Sequence, residues 1–462
     1  MHSTFLAPLR GELDRAASES HAVFQERRDA RLRHLLRSHF ESARNTAYRG
    51  LLEQHGITSV AGLPRTALDI EELPIVEKDF LRTADYKVRP AVAPEEVRFV
   101  VTTSGSTGNP LEVPHSHAFQ RRIFGELFAR IHLMLGREDL LAEPAYYVGH
   151  YTPSTKYTGT YAAFTQLCEL LGESARMGNT SDPIAHHLRM LLDRGARSAC
   201  SAPGFFLALV AGAQAQGVDL GESALELVIV GGAPVSAENR ARLVTGLGLR
   251  TLCLGYVSSE LGWIGVQLGD DGPYAIFADE FLVEVVDDDG HHVAPGEYGR
   301  VLVTALSSDA APLVRYANGD RARYLGYGRP YRNFPLLDDI GRDTLAIIGD
   351  GKVSYEDMAE MPRTMAALGA PVAAFQLAKR LAPDGRDQIH LRVELIDPGQ
   401  DAAHVEGAAV HALRRHPHMD FHLAGGELPP PIVETYAPGH LTAGRFKVPL
   451  YVDETKTAIT AR

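Results

Sequence analysis

The sequence predicts an α/β protein, with a large N-terminal α/β domain over residues 1–340 and a small α+β C-terminal domain over residues 341–462. Three patterns carry that expectation. Residues 225–230 and 251–254 are short apolar runs ending in glycine, at Gly231 and Gly255, as strands of a sheet covered on both faces do. Strand and helix periodicities mix from residue 98 to about residue 335. Beyond Ile340-Gly341-Arg342 a further set of elements follows, with strands expected at 375–377 and 389–395 and a helix at 401–416, in a tail long enough for its own core.

Taken in chain order, residues 10–57 have few breakers and carry apolar residues at three- and four-residue spacing, which predicts helix in an N-terminal segment reaching residue 95. Residues 97–101 predict a strand. The stretch 281–304 alternates charge and apolarity around Asp288-Asp289-Gly290, which predicts a hairpin, followed by a turn at Pro295-Gly296. Ligands of open α/β sheets gather at strand ends. The segments that follow 97–101, 225–230 and 251–254 are therefore the first places to look for a site.

The first of these is Val101-Thr102-Thr103-Ser104-Gly105-Ser106-Thr107-Gly108-Asn109-Pro110. Glycines allow a tight turn and close approach of backbone to an anion. Successive N–H groups in such a turn form an anion-binding concavity, and the hydroxyls add donors. The loop is not a Walker A motif, because no Gly-Lys-Ser/Thr follows, and it lacks the Gly-x-Ser-x-Gly of a nucleophile elbow. Standing alone, it would be matched by an ordinary Ser/Gly loop.

Composition narrows the function classes. A net charge of −12, from 58 acidic against 46 basic residues, argues against a nucleic-acid groove. The basic stretch from Arg27 to Arg37 holds Leu32, Leu35 and Leu36 at helical spacing, as in a solvated amphipathic helix. The three cysteines, Cys168, Cys200 and Cys253, form no CxxC pair and predict buried free thiols in a reducing compartment. No segment resembles a secretion signal or a membrane span, so a cytoplasmic protein without a membrane partner is expected. His416-Pro417-His418-Met419-Asp420-Phe421-His422 holds ligand types, yet its spacing matches no zinc signature, and no zinc is expected.

Further motifs follow the loop in a fixed order: Gly231-Gly232-Ala233-Pro234, Tyr256-Val257-Ser258-Ser259-Glu260, Pro312-Leu313-Val314-Arg315-Tyr316-Ala317-Asn318-Gly319-Asp320 and Ile340-Gly341-Arg342-Asp343. With them the chain resembles the AMP-forming adenylating superfamily of acyl-CoA synthetases, adenylation domains and luciferases. Asn45-Thr46-Ala47-Tyr48-Arg49, Leu73-Pro74-Ile75-Val76-Glu77-Lys78-Asp79 and the run from Asp279 to Asp287 are similar to the phenylacetate-CoA ligase branch. The resemblance spans about residue 30 to the end.

That resemblance implies layered sheets with a mobile C-terminal lid, and a reaction in two halves. A carboxylate attacks the α-phosphorus of ATP to form an acyl-adenylate, and a thiol, usually of CoA, then displaces AMP. It implies that Thr103, Ser104, Gly105, Ser106, Thr107 and Gly108 hold the β- and γ-phosphates, and that Gly232, Ala233 and Pro234 form the adenine-side turn. Tyr256 matches the aromatic packed on adenine, Ser259 the phosphate-binding hydroxyl, Glu260 the Mg²⁺-binding acid and Asp320 the acid that accepts from both ribose hydroxyls. Two carboxylate oxygens suit a vicinal diol. Arg342 matches the basic residue near the ribose, and Asp343 the lid hinge. His150, Tyr151, Tyr157 and Lys156 fall where the branch places its acyl pocket.

The departures from the pattern are specific. Leu111 stands where the family often has a lysine after the loop proline, and Val257 replaces a glycine. The lid lysine that usually follows a glycine is Arg445 here, with Lys447 two residues on and favoured because side-chain direction in extended chain repeats every two residues. Trp263-Ile264-Gly265 stands in place of Gly-Pro-Gly, so a Trp263 that lines the pocket would imply a small or flat acid. The expectation is thus an ATP- and Mg²⁺-dependent ligase for a small, aromatic carboxylate, with CoA as co-substrate, serving secondary metabolism, and open to forming a homodimer. The alternatives are an adenylating enzyme whose acceptor is an amine, a carrier protein or nitrite for diazotisation, and a non-catalytic nucleotide-binding relative.

Overall fold

The computed structural model describes residues 2–83, 91–102, 111–149, 159–232, 235, 237–250, 252–269, 272–342, 346–348, 351–353, 355–384, 386–424, 428–442 and 448–455. The N-terminal helical stretch breaks into helices His2–Ser18, His21–Glu41 and Thr46–Gln54. The first break falls at Ser20, whose extended backbone starts a new helix and whose hydroxyl accepts from the Val23 N–H at 3.4 Å, as N-cap residues do. Phe24, Leu32, Leu35 and Leu36 of the second helix are buried, so the apolar spacing does mark the packed face.

Strands β1 (Val97–Thr102) and β2 (Glu112–Ser116) form a separate antiparallel hairpin, with Thr102 opposite Glu112 across the loop that joins them. The next strands are β3 (Ala145–Gly149), β4 (Ala175–Asn179), β5 (Ser198–Ser201), β6 (Leu227–Gly231), β7 (Cys253–Ser258), β8 (Gly262–Gln267) and β9 (Tyr274–Ile276). They continue with β10 (Phe281–Val286), β11 (Tyr298–Ala305), β12 (Tyr316–Tyr327) and β13 (Pro335–Arg342). These eleven form one sheet in the order β10-β11-β12-β13-β9-β8-β7-β6-β5-β3-β4. The half from β4 to β7 is parallel. From β7 to β10 every pairing is antiparallel, including the expected hairpin of 281–304.

The parallel half is covered on both faces. Tyr147, Cys200, Ile229 and Cys253 join the N-terminal helices and helix Leu127–Met134 in one apolar cluster. Their strand neighbours Tyr146, Ala199, Val228 and Leu254 join helices Ile184–Leu192, Pro203–Ala215 and Ala237–Gly246 in a second. Strand residues alternate faces, so near-continuous apolar runs are what such a sheet requires.

One sequence expectation is corrected in the sheet. Tyr256 was expected in a turn after a strand ending at Gly255, but both lie inside β7. Gly255 is a packing glycine: a Cβ there would collide with the Cζ3 edge of Trp263 on the neighbouring β8. Glycine inside a strand often marks a site of close approach.

Beyond the sheet, β14 (Ala346–Ile348) and β15 (Gly351–Val353) pair with each other. Strands β16 (Ala374–Leu381), β17 (Asp387–Glu394), β18 (Ile432–Tyr436) and β19 (Tyr451–Asp453) form a sheet in the order β18-β17-β16-β19. Phe375, Leu377, Ile389, Leu391 and Val393 pack with Met358, Met361 and Met365 of helix Tyr355–Ala367 and with Val405, Ala409 and Leu413 of helix Ala402–Arg414. This cluster shares no residue with the two around the large sheet. Among the described residues, no helix is long and apolar enough to cross a membrane.

Candidate active site

β7 and β12 stand four places apart in the sheet order, yet their side chains meet. The antiparallel half rolls over, and the Tyr256 hydroxyl donates to Asp320 Oδ2 at 2.8 Å. Asn318 Nδ2 donates to the same Oδ2 at 2.7 Å and to the Tyr256 hydroxyl at 2.8 Å. Tyr256 and Asp320 are each 7% exposed and Asn318 1%. Arg342 ends β13 directly opposite Asp320 in the ladder.

Glu260 occupies the tight connection between β7 and β8. Ser258 pairs with Gly262, and the Ser258 hydroxyl accepts from the Leu261 N–H at 3.1 Å. Gly262 has φ +69, and any side chain there would also strike the Ile123 backbone, so glycine is required. The turn folds Glu260 inward to 4% exposure, while Ser259 beside it stays half-buried. Tyr316 donates its hydroxyl to Glu260 Oε1 at 2.9 Å, and Lys78 Nζ lies 3.6 Å from the same oxygen.

Lys78 reaches this point through β12. Val76 bridges Tyr316 in parallel fashion, donating its N–H to Arg315 and accepting from Ala317, at 3.1 and 3.0 Å. Arg315, at φ +43 and 3% exposed, pairs with Glu284 and donates to the carbonyls of Glu71, Leu73 and Gly290. It thereby fixes the lead-in chain against the β10–β11 hairpin. From β2, His115 Nε2 contacts the Glu260 carbonyl at 3.0 Å. Burial pushes the His115 pKa down to about 4, so the ring is neutral at pH 7 and serves as a hydrogen-bond donor to that carbonyl. The hairpin carrying the Ser/Gly loop is therefore tied to the Glu260 turn.

Gly232 follows β6 with φ +83. It lines a cavity of about 590 Å³, which also touches Asn239, Arg323, Asp339, Arg363 and Phe375. Three contacts, two of them between residues that line this cavity, join the large sheet's surroundings to the C-terminal portion. Arg363 pairs with Asp339 at 3.2 Å, Asn239 donates to the Ala373 carbonyl at 3.2 Å, and Arg242 donates to the Ile396 carbonyl at 3.1 Å.

Trp263 is 3% exposed and belongs to the core cluster. Its ring centroid lies 5.3 Å from Phe128, which meets Tyr147 edge-on at 5.4 Å, and Tyr147 stacks on Phe164 at 5.4 Å. Gly265 faces the Ala275–Ile276 backbone of β9, where a Cβ would come within 2.7 Å of the Ala275 oxygen. His416 Nε2 lies 3.1 Å from Asp357 Oδ2, and Asp420 is paired with Arg414. Among the described residues no group of three His, Cys, Asp or Glu side chains could hold a metal.

The structure thus brings together Tyr256, Ser259, Glu260 and Asp320, with Arg342 at the adjoining strand end. Thr103 to Gly108, His150, Tyr151, Lys156, Tyr157, Ala233, Pro234, Asp343, Arg445 and Lys447 lie outside the described residues, as does the Arg342 side chain. Sequence reasoning did not single out Lys78, His115, Tyr316 or Asn318 for the site. Two signals pointed to Lys78: the family-like segment that contains it, and the missing lysine at Leu111.

With an α/β sheet, the buried pairing of Tyr256 with Asp320 and the Glu260 turn after β7, the chain belongs to the AMP-binding enzyme family, whose pattern it matches over residues 17–306. It lies in the phenylacetate-CoA ligase-like branch and is an AMP-forming ligase that activates a carboxylate as its adenylate. It is 28% identical over 367 residues to a phenylacetate-coenzyme A ligase of Thermus thermophilus, covering 76% of this chain and 77% of that enzyme. The corresponding ligase of Pseudomonas putida is 28% identical over 287 residues, covering 61% and 63%. A 2-hydroxyisobutyryl-CoA ligase in its postadenylation state superposes with a TM-score of 0.73 at 18% identity, covering 97% of this chain and 93% of that one.

Proposed function

We propose that this ligase activates a small aromatic carboxylate with ATP and Mg²⁺ and passes the acyl group to CoA. The single observation that carries the reading is the buried pairing of Tyr256 with Asp320 beside the Glu260 turn. In this reading the Tyr256 ring packs on adenine beside Gly232, Ala233 and Pro234. Asp320 accepts from the ribose hydroxyls, with Arg342 next to it. Thr103 to Gly108 and Ser259 hold the phosphates. Glu260, a buried hard-oxygen donor, fits Mg²⁺ in its usual company of one carboxylate plus ATP oxygens. The metal would neutralise charge on the departing pyrophosphate.

The substrate carboxylate then attacks the α-phosphorus, the bond to the β-phosphate bridging oxygen breaks, and pyrophosphate leaves. In the second half the thiol sulfur attacks the acyl carbon and AMP leaves. Charge stabilisation dominates the first half, because an anion must approach a polyanion. Lys78 compensates for the apolar Leu111 by delivering a cation to the phosphate side from outside the Ser/Gly loop. The residues from 341 onward act as the lid, pivoting at Asp343, a role that the separate C-terminal core supports.

Of the two lid cations we assign adenylation to Lys447, since a compact point cation on a flexible stem can bridge carboxylate and α-phosphate better than a planar guanidinium. Lys447→Ala is expected to lose pyrophosphate release yet still consume a preformed adenylate. Loss in Arg445→Ala instead would reverse the assignment.

A small acid is the reading that the chain of rings Trp263, Phe128, Tyr147 and Phe164 supports, since it fills the space running from β8 past helix Leu127–Met134 to β3. His150, Tyr151, Tyr157 and Gly265 complete the pocket. Trp263→Gly is expected to raise the relative rate with bulkier aryl acids at least ~10-fold, the scale on which a pocket wall discriminates. A loss of about 3–5 kcal/mol in urea unfolding with no change in preference would make Trp263 purely a core residue.

The function is tested by pyrophosphate release from Mg-ATP over a panel of small carboxylic acids, with nitrite included, followed by addition of CoA. Release with an aryl acid and thioester formation with CoA are expected. Release without thioester would move the acceptor to an amine or a carrier protein. Release with nitrite alone would replace the carboxylate altogether.

A further inference from the structure

Asn318 stands two residues before Asp320 on β12, with Gly319 between them at φ +79. That left-handed glycine bends the strand and lets the two flanking side chains meet. The Asn318 amide is held at both ends. Its Oδ1 accepts the Asp320 N–H at 3.1 Å, which fixes the other end as the donor. Nδ2 then donates to Asp320 Oδ2 and to the Tyr256 hydroxyl, and Tyr256 donates to the same Oδ2. The three groups close a ring of hydrogen bonds in a buried setting, where each bond polarises the next.

The terminal torsion of an aspartate is broad, so a carboxylate held by one donor can swing. Two donors converging on one oxygen set its plane. The same amide also fixes the phenol, and with it the plane of the Tyr256 ring. We propose that Asn318 is the positioning residue of the nucleotide site, locking Tyr256 and Asp320 into one rigid unit so that base and ribose are recognised together. This rests on the reading of Tyr256 and Asp320 given above. Asn318 need not touch the nucleotide. Its effect is exerted through the orientation of its two neighbours.

The test measures dissociation constants of ATP and 2′-deoxy-ATP for the full-length protein and for Asn318→Ala, Asn318→Thr and Asp320→Ala. The unaltered protein should prefer ATP by about tenfold or more, the scale of one charge-assisted hydrogen bond to a ribose hydroxyl. Asn318→Ala should weaken ATP about tenfold and 2′-deoxy-ATP less than about threefold, so that the preference collapses. Asn318→Thr keeps a hydroxyl donor and should recover part of it. If the alanine variant does not fold by thermal melt, the threonine variant carries the test through a reduced preference. Full preference in a folded Asn318→Ala overturns the proposal. Equal weakening of both nucleotides also overturns it, because only general packing would then be affected. Asp320→Ala separates the two levels. If it binds both nucleotides normally, the ribose reading fails. If it loses the preference while Asn318→Ala keeps it, the positioning role alone fails.

Discussion

Asp320→Ala is expected to abolish ATP-dependent pyrophosphate release while the protein stays folded. In the proposed site the carboxylate accepts a hydrogen bond from each ribose hydroxyl, and bonds to a charged acceptor are each worth about 1.5–3 kcal/mol. Losing both removes roughly 3 kcal/mol or more, a factor above ~10² in ATP affinity. The substitution also removes the acceptor shared by two buried donors, the Tyr256 hydroxyl and Asn318 Nδ2. Stability should therefore fall by about 1–3 kcal/mol, measurable in urea, without loss of the fold. Asp320→Asn keeps the shape and one acceptor and should fall between the two. Near-normal ATP affinity in Asp320→Ala would sink the nucleotide-site assignment.

Lys78→Ala should lower pyrophosphate release by about 10²–10³-fold at saturating acid, the range seen when one preorganised charge-stabilising group is removed. Lys78 sits 3.6 Å from Glu260 Oε1 on an element held by the Val76–Tyr316 bridge, so its position is set before nucleotide arrives. Lys78→Arg keeps the charge but not the compact head group and should recover activity only in part. The contrast to check is stability. The Lys78 side chain is 28% exposed, and partly exposed ion pairs add little to folding, so both variants should melt near the parent. A rate loss confined to Mg²⁺-limited conditions would instead mean that Lys78 acts only by orienting Glu260.

Much of this architecture was legible along the chain. The hairpin at 281–304, the apolar strands flanking the Gly231 turn and the helix at 401–416 follow from periodicity and turn residues alone. The ordered motifs pointed to the family. What the chain concealed were relations between distant segments. Nothing local distinguishes a glycine that ends a strand from one that makes room for an indole, so Gly255 misled and Tyr256 was displaced from its strand. Nothing local shows that, among the described residues, the strand before the Ser/Gly loop pairs only with its own hairpin partner. The approach of Lys78 to Glu260 spans most of the large α/β portion and depends on Arg315 tying the lead-in chain to β12. Asn318 looked like a turn residue because Asn-Gly is a turn signal. Its partner across the rolled sheet, Tyr256, appears only in three dimensions.

The roll of the antiparallel half has a mechanical consequence. β9 and β13 are joined by two residue pairs, Leu336 with Ala275 and Leu337 with Tyr274. The ladders on either side run longer, with five pairs joining β12 to β13 and three joining β8 to β9. That short ladder is the seam of the molecule. Tyr256 lies on one side of it and Asp320 on the other, so parting the seam would take the acid away from the aromatic while leaving each half-sheet and its helices intact. Occupancy by nucleotide would act as a rivet across it, and slowed amide exchange in β9 and β13 would be the mark of a filled site.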